Sequence, residues 1–242
     1  MPEHRQFRNR VCYHPLRVKQ AGGLASGLAL VFDLDGVVVD SNPVHTETWR
    51  LYLERHGVEA DEDMPWRMFG RRNDDIVRDL FGPGLSQEEV IEHGAAKERL
   101  FREEMRDQLP HRLVPGLVAF LERHRDAPLG VASNAEPENV AFVLDCAGLR
   151  HYFNVVVDGH QVQKPKPSPD IFLKAAELLE TAPGNCVVFE DSLAGVEAAI
   201  AAGMRVVGVC TTHGSLPGVQ LEIEDFRSIE LESWLRRQIP LL

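Results

Sequence analysis

Two aspartates one residue apart, Asp33 and Asp35, close a hydrophobic run that begins at Leu28 (LALVFDLDGVVVDS), and Asp40 follows close behind. Two carboxylates about 4 Å apart repel by roughly 4 kcal/mol in a partly buried setting. The pattern recurs in CVVFEDS, where Glu190 and Asp191 end another apolar run. A third run, LGVAS, ends in Ser133-Asn134, and KPKPSPDIF carries Lys164 and Lys166. Each segment alone is unexceptional, since strands often end in polar residues where the chain leaves the core. Gathered at one place, the four acids would cost several kcal/mol of repulsion unless a cation offset it. A divalent ion held by oxygen does so, and Mg²⁺ suits that donor set. With a hydroxyl and an ammonium beside it, the cluster has the chemistry of a metal and phosphate site.

Bringing four distant segments together is a task for a parallel sheet, whose carboxyl ends share one edge. LALVFDL is a short apolar run without helical period, as expected of a buried strand. Further strands are predicted at Leu129–Ala132, Asn154–Val157 (ending at Asp158), Cys186–Phe189 and Val206–Val209. Between them lie helical segments: Glu138–Ala147, Pro169–Glu180 capped by Ser168, and Leu193–Ala202 closed by Gly203. This alternation implies βαβ units and a sheet covered on both faces.

Residues 43–110 have another rhythm. Asn42 reads as the cap of a helix with Pro43 in its first turn, Trp49, Tyr52 and Leu53 as its apolar stripe and Gly57 at its end. Ser86-Gln-Glu-Glu89 is a capping box opening a charged helix toward Leu109. No strand pattern interrupts this block. The expected organisation is an α/β, doubly wound parallel-sheet core of residues 28–42 and 111–242, an inserted all-helical cap of residues 43–110, and an unassigned arm of residues 1–27. The hinges fall near Ser41–Pro43 and Pro110–Gly116.

Composition excludes several classes. A net charge of −11 over 242 residues gives no broad nucleic-acid surface. No apolar stretch approaches the roughly 20 residues of a membrane span, and the first residues lack the apolar core of a secretory signal. The four cysteines, Cys12, Cys146, Cys186 and Cys210, are widely spaced. They read as small core residues of a reducing compartment, the cytoplasm, rather than a disulfide frame or zinc site.

Asp33-Leu-Asp35-Gly-Val, Ser133-Asn134, Lys166-Pro-Ser-Pro-Asp170 and Glu190-Asp191 resemble the four motifs of the haloacid-dehalogenase-like hydrolases, in order and with suitable spacing from Leu28 to Cys210. The helical insert resembles the small cap of the subgroup that holds β-phosphoglucomutase and sugar-phosphate phosphatases. The resemblance implies that Asp33 attacks phosphorus and forms an aspartyl-phosphate, while Asp35 serves as general acid and then base. Mg²⁺ would be held by the Asp33 carboxylate, the Asp35 backbone carbonyl and Asp191, with Glu190 direct or through water. Ser133, the backbone at Asn134 and Lys166 would hold phosphoryl oxygens. Lys166, not Lys164, begins the family's Lys-Pro-x-Pro-Asp pattern.

In the cap, His45 and Lys97 stand where the subgroup has residues facing the active site. Arg71 and Arg72 either meet an anionic substrate or form a solvated basic turn. The implied protein is a monomeric Mg²⁺-dependent phosphatase of a small phosphorylated metabolite such as a sugar phosphate. Two alternatives stand beside it: a β-phosphoglucomutase-type mutase, and a non-catalytic phosphate-binding protein. A mutase needs cationic or amide groups for a second phosphate, which in β-phosphoglucomutases come from the turn after the motif serine and from a cap-loop arginine. Here that turn is Ala135-Glu136-Pro137, and Asn73 stands three residues after Gly70.

Overall fold

The run before Asp33 is a strand without polar residues because both of its faces are covered. In the computed structural model, which describes residues 27–238, β1 (Ala29–Phe32) is buried throughout and lies inside a six-stranded sheet. The others are β2 (Leu129–Ala132), β3 (Val155–Val157), β4 (Cys186–Glu190), β5 (Arg205–Val209) and β6 (Leu221–Ile223). Their order is β3-β2-β1-β4-β5-β6, and every neighbouring pair is parallel. The sheet thus winds outward in both directions from β1, the doubly wound α/β arrangement expected. Phe32 pairs in register with Val131 of β2 and Phe189 of β4. Asp33, Ser133 and Glu190 therefore emerge side by side, at the point where strand order reverses. The expected N-terminal arm, apart from Gly27, and Cys12 lie outside the described residues.

After β1 the chain forms a block of five helices, α1 (Asn42–Arg55), α2 (Met64–Met68), α3 (Asn73–Phe81), α4 (Gln87–Met105) and α5 (Leu109–Arg112), and a sixth helix leads from it to β2. This block has its own apolar cluster, including Trp49, Leu53, Met64, Val77, Val90 and Leu100. Ser86 and Glu89 form the reciprocal capping box. Two local expectations are corrected. α4 stops at Met105 rather than running to Leu109, and a new turn opens just before Pro110, which has no N–H for a continuing helix. Asn42 is the first helical residue instead of the cap, and Ser41, in the cap position, makes no side-chain cap bond either. Both side chains are engaged at the sheet edge.

The remaining helices are α6 (Leu117–Arg123), α7 (Pro137–Cys146), α8 (Asp170–Leu178), α9 (Leu193–Ala201) and α10 (Ile229–Gln238). Alternation along β1 sends Leu30 and Phe32 to one face, with Phe120, Phe153, Phe189 and Phe226. Ala29 and Val31 go to the other, with Ile171, Phe172, Ala198 and Ala199. Phe32 and Phe189 stack at 4.8 Å directly beneath the polar edge, so the loops above stand on a rigid floor. α8 begins at Asp170, with Pro169 in the cap position; the Ser168 hydroxyl donates to the Asp170 carboxylate (2.7 Å) instead of capping. Cys186 is buried as expected, but Cys146 is exposed, because it falls with Asp145 on the outer side of the last turn of α7, whose Val143 and Leu144 face the core. Cys210 is only partly buried. Among the described residues no helix is long and apolar enough to cross a membrane.

Candidate active site

Asp33 follows β1 directly and its backbone N–H still joins the sheet, donating to Phe189 O. Its carboxylate is buried and accepts from Lys166 Nζ at 2.8 Å. The same ammonium donates to Glu190 Oε1 at 2.6 Å and lies 4.8 Å from the centre of the Phe172 ring. Lys164 is exposed and Lys166 buried. Glu190 spends its other oxygen on the backbone N–H groups of Asp191 and Ser192 and on the Ser192 hydroxyl. A Cβ on Gly195 would lie 1.8 Å from Glu190 Oε1, so only glycine lets α9 approach this carboxylate.

Asp33, Glu190 and Asp191 each offer an oxygen within 4.8 Å of the others, and all three are buried. One lysine does not offset three acids. Burial pushes the Asp33 carboxyl up to about 7, with Glu190 and Asp35 adding to the shift and Lys166 opposing it. Burial, then Glu190 and Asp33, push Asp191 well above the usual carboxylate range. A buried, all-carboxylate donor set that resists ionising by itself fits a hard divalent cation.

Asp35 is driven the other way. Burial would raise its pKa, but the His45 ring facing it and the hydrogen bond from Ser41 outweigh it and leave it lowered. Ser41 Oγ donates to Asp35 Oδ1 at 2.5 Å, and His45 Nε2 lies 3.6 Å from the same oxygen. The far side of His45 meets Lys97, with Nδ1 2.6 Å from Nζ. A lysine ammonium only donates, so Nδ1 accepts and the ring proton sits on Nε2, facing Asp35. Lys97 is buried and paired with Glu98 at 2.8 Å, while Phe101 stacks on His45 at 3.7 Å. Glu98 is itself held by Asn73 and Asn139. Burial works against its charge, but the Lys97 ammonium and the Asn139 hydrogen bond bring its pKa down to about 2.

Ser133, following β2, is buried, and its Oγ accepts from the Ala135 N–H at 3.2 Å. The Asn134 side chain ties loops together, donating to Gly70 O (2.8 Å) and accepting from the Lys166 N–H (3.2 Å). Arg71 pairs with Asp79 at 2.5 Å. Arg72 turns into the core and donates to the carbonyls of Gly159 and Val162. Asn73 donates to Glu136 at 2.9 Å. Of the residues singled out from sequence, all but Glu190 line one cavity between sheet edge and helical block. Glu190 sits behind Lys166.

Several residues of the site have no site role in the sequence reading. Asn42 Nδ2 donates to Asp191 Oδ2 (3.0 Å) and to Thr212 Oγ (2.6 Å), and Thr212 Oγ donates to the same Asp191 oxygen. Ser41 and Asn42 carry the side chains of helix caps, which masks their use elsewhere. Thr212 follows β5 and belongs to no motif. Glu98 reads as one more charge on a charged helix.

An open parallel sheet wound about β1, with an acid-lined cavity at its carboxyl edge and a helical block above, is a Rossmann-like, doubly wound α/β architecture. The chain belongs to the haloacid dehalogenase-like hydrolase family, whose model matches residues 28–203. It is 35% identical over 182 residues to the fructose-1-phosphate phosphatase YqaB of Escherichia coli, covering 74% of this chain and 95% of that one. It is 29% identical over 211 residues to the β-phosphoglucomutase of Bacillus subtilis, covering 84% and 92%. Among solved structures, β-phosphoglucomutase from Clostridium difficile superposes with a TM-score of 0.79 at 25% identity, over 88% of this chain and 98% of that one.

Proposed function

We propose that this protein is an Mg²⁺-dependent phosphatase that hydrolyses a small phosphorylated metabolite, a sugar monophosphate, through an aspartyl-phosphate at Asp33. The observation that carries this reading is the placement of Asp33. Its buried carboxylate lies in one oxygen cluster with Glu190 and Asp191, 2.8 Å from the Lys166 ammonium, and shares its cavity with Asp35. Two carboxylates in different surroundings can take separate roles. Asp33 attacks phosphorus in line and the bond to the leaving oxygen breaks. The leaving alkoxide takes its proton from Asp35, and the Asp35 carboxylate then removes a proton from the water that hydrolyses the phosphoenzyme. Asp35 must first acquire that proton, and an incoming phosphate dianion, by its charge, raises the Asp35 pKa toward that state.

Asp33, Asp191 and the Asp35 backbone carbonyl would hold Mg²⁺. Glu190 supports them from behind by anchoring Lys166. The ion supplies charge neutralisation for the acids and the phosphoryl oxygens. Lys166, Ser133 and the Asn134 backbone are the remaining phosphate contacts. Residues 43–110 act as a cap that excludes water from the cavity.

The cap arginines favour a phosphatase over a mutase. Both line the cavity, but Arg71 is paired with Asp79, Arg72 Nη2 donates to two backbone carbonyls, and Glu136 brings a carboxylate to the same cavity, where a second phosphate would need a cation. The test is phosphate release from p-nitrophenyl phosphate and a panel of sugar monophosphates. Release should need Mg²⁺, stop in excess EDTA and outrun conversion of β-glucose 1-phosphate to glucose 6-phosphate. Faster isomerisation than phosphate release would replace this reading with the mutase. Phosphate binding without turnover of any ester would leave only a binding protein.

A further inference from the structure

The first residue of the cap helix is bonded to an acid of the proposed cation site. Asn42 opens α1 and is buried, yet its amide does nothing for the helix. Its two Nδ2 hydrogens go to Asp191 Oδ2 and Thr212 Oγ, 149 and 170 residues away in sequence. The Thr212 hydroxyl closes the triangle on Asp191 Oδ2. Gly36 leaves room for the same oxygen. At φ +78° it presents no Cβ, and one placed there would lie 1.8 Å from Asp191 Oδ2. Thr211 Oγ in turn donates to Gly36 O at 2.5 Å. One carboxylate oxygen is thus held by donors from the α1 start and the loop after β5. The other, Oδ1, accepts no hydrogen bond among the described residues.

We propose that Asn42, with Thr212, is a positioning residue. It fixes the Asp191 carboxylate so that Oδ1 faces a divalent cation, and it couples occupancy of that cation site to the start of the cap. This rests on the cation site of the proposed function. A carboxylate held at one oxygen gives a cation one defined ligand atom, and partners behind ligands are worth about 10- to 100-fold in metal affinity. The coupling must be reciprocal. A cation that draws Asp191 into place steadies the first turn of α1, and a first turn held in place tightens the cation.

The experiment is Mg²⁺ binding by calorimetry on the full chain without substrate, for wild type, Asn42→Ala, Thr212→Val and the double variant. Hydrogen exchange in the first turn of α1 is followed with and without Mg²⁺. Each single variant should weaken Mg²⁺ about tenfold. The double should lose less than the product of the two, since both act on one oxygen. Mg²⁺ should slow exchange in that turn for wild type and not for Asn42→Ala. A merely structural role would leave the Mg²⁺ response of exchange intact. If Asn42→Ala does not fold, Thr212→Val alone still reads the affinity. Wild-type affinity in both single variants overturns the inference and leaves the phosphatase standing. No Mg²⁺ binding by wild type overturns both.

Discussion

Lys166→Met keeps most of the side chain's length and removes the ammonium between two buried carboxylates. The structure sets the scale. At an effective dielectric of about 20, a contact of 2.8 Å to Asp33 is worth about 6 kcal/mol gross, and one of 2.6 Å to Glu190 about as much. Desolvation cancels much of this, and breaking a buried ion pair from one side costs about 3–5 kcal/mol net. At about 2–4 °C per kcal/mol for a chain of this size, the melting temperature should fall by about 6–20 °C. Lys166 is raised above its unfolded pKa by Asp33 and Glu190 against the opposing effect of burial. Deprotonation of Lys166 itself therefore removes its contribution only above about pH 10. The carboxylates give the loss a second signature. Asp33 already sits near 7 with Lys166 present, so without it a proton can replace the missing charge in acid. Thermal denaturation followed by circular dichroism, in EDTA at pH 8 and pH 5.5, should show the larger loss at pH 8. A fall of less than about 2 °C at pH 8 would refute the claim that Lys166 compensates this cluster.

Asp33→Asn should raise the melting temperature of the EDTA-treated protein at pH 8. The folded pKa of about 7 against 3.8 means that the ionised carboxylate opposes folding, a penalty complete above pH 7 and fading toward pH 4; a variant that melts lower at pH 8 would contradict this. Glu136→Gln should tighten inhibition by glucose 1,6-bisphosphate relative to glucose 1-phosphate, by about tenfold for one removed repulsion. An unchanged ratio of inhibition constants would mean that Glu136 does not face the sugar's far end.

Much of the core was legible because its rules are local. The apolar runs before Asp33, Ser133 and Glu190 are short and lack a helical period, which reads as buried strands, and parallel strands put their carboxyl ends on one edge. What stayed hidden depends on contacts between distant segments. Ser41 and Asn42 have the chemistry of caps, and nothing nearby in the chain reveals that Asp35 and Asp191 claim them. Glu98 looks solvent-facing until α7 supplies Asn139 to hold it. Arg72 lines the cavity, but its bonds to backbone carbonyls of a loop nearly ninety residues away could not be read from the sequence. β6, three residues at the sheet edge, and α10 after it have no counterpart in the sequence reading, since so short a strand shows hardly one period of alternation.

The central claim is that Asp33 carries the phosphoryl group. Its most direct test is acid quenching of the wild-type protein during Mg²⁺-supported turnover of a sugar monophosphate, followed by peptide mass analysis. The account predicts one acid-stable phosphate on the peptide containing Asp33, and neither phosphate nor turnover in Asp33→Asn. Label on another residue, or an Asp33→Asn variant that keeps more than a few per cent of the wild-type rate, would contradict it.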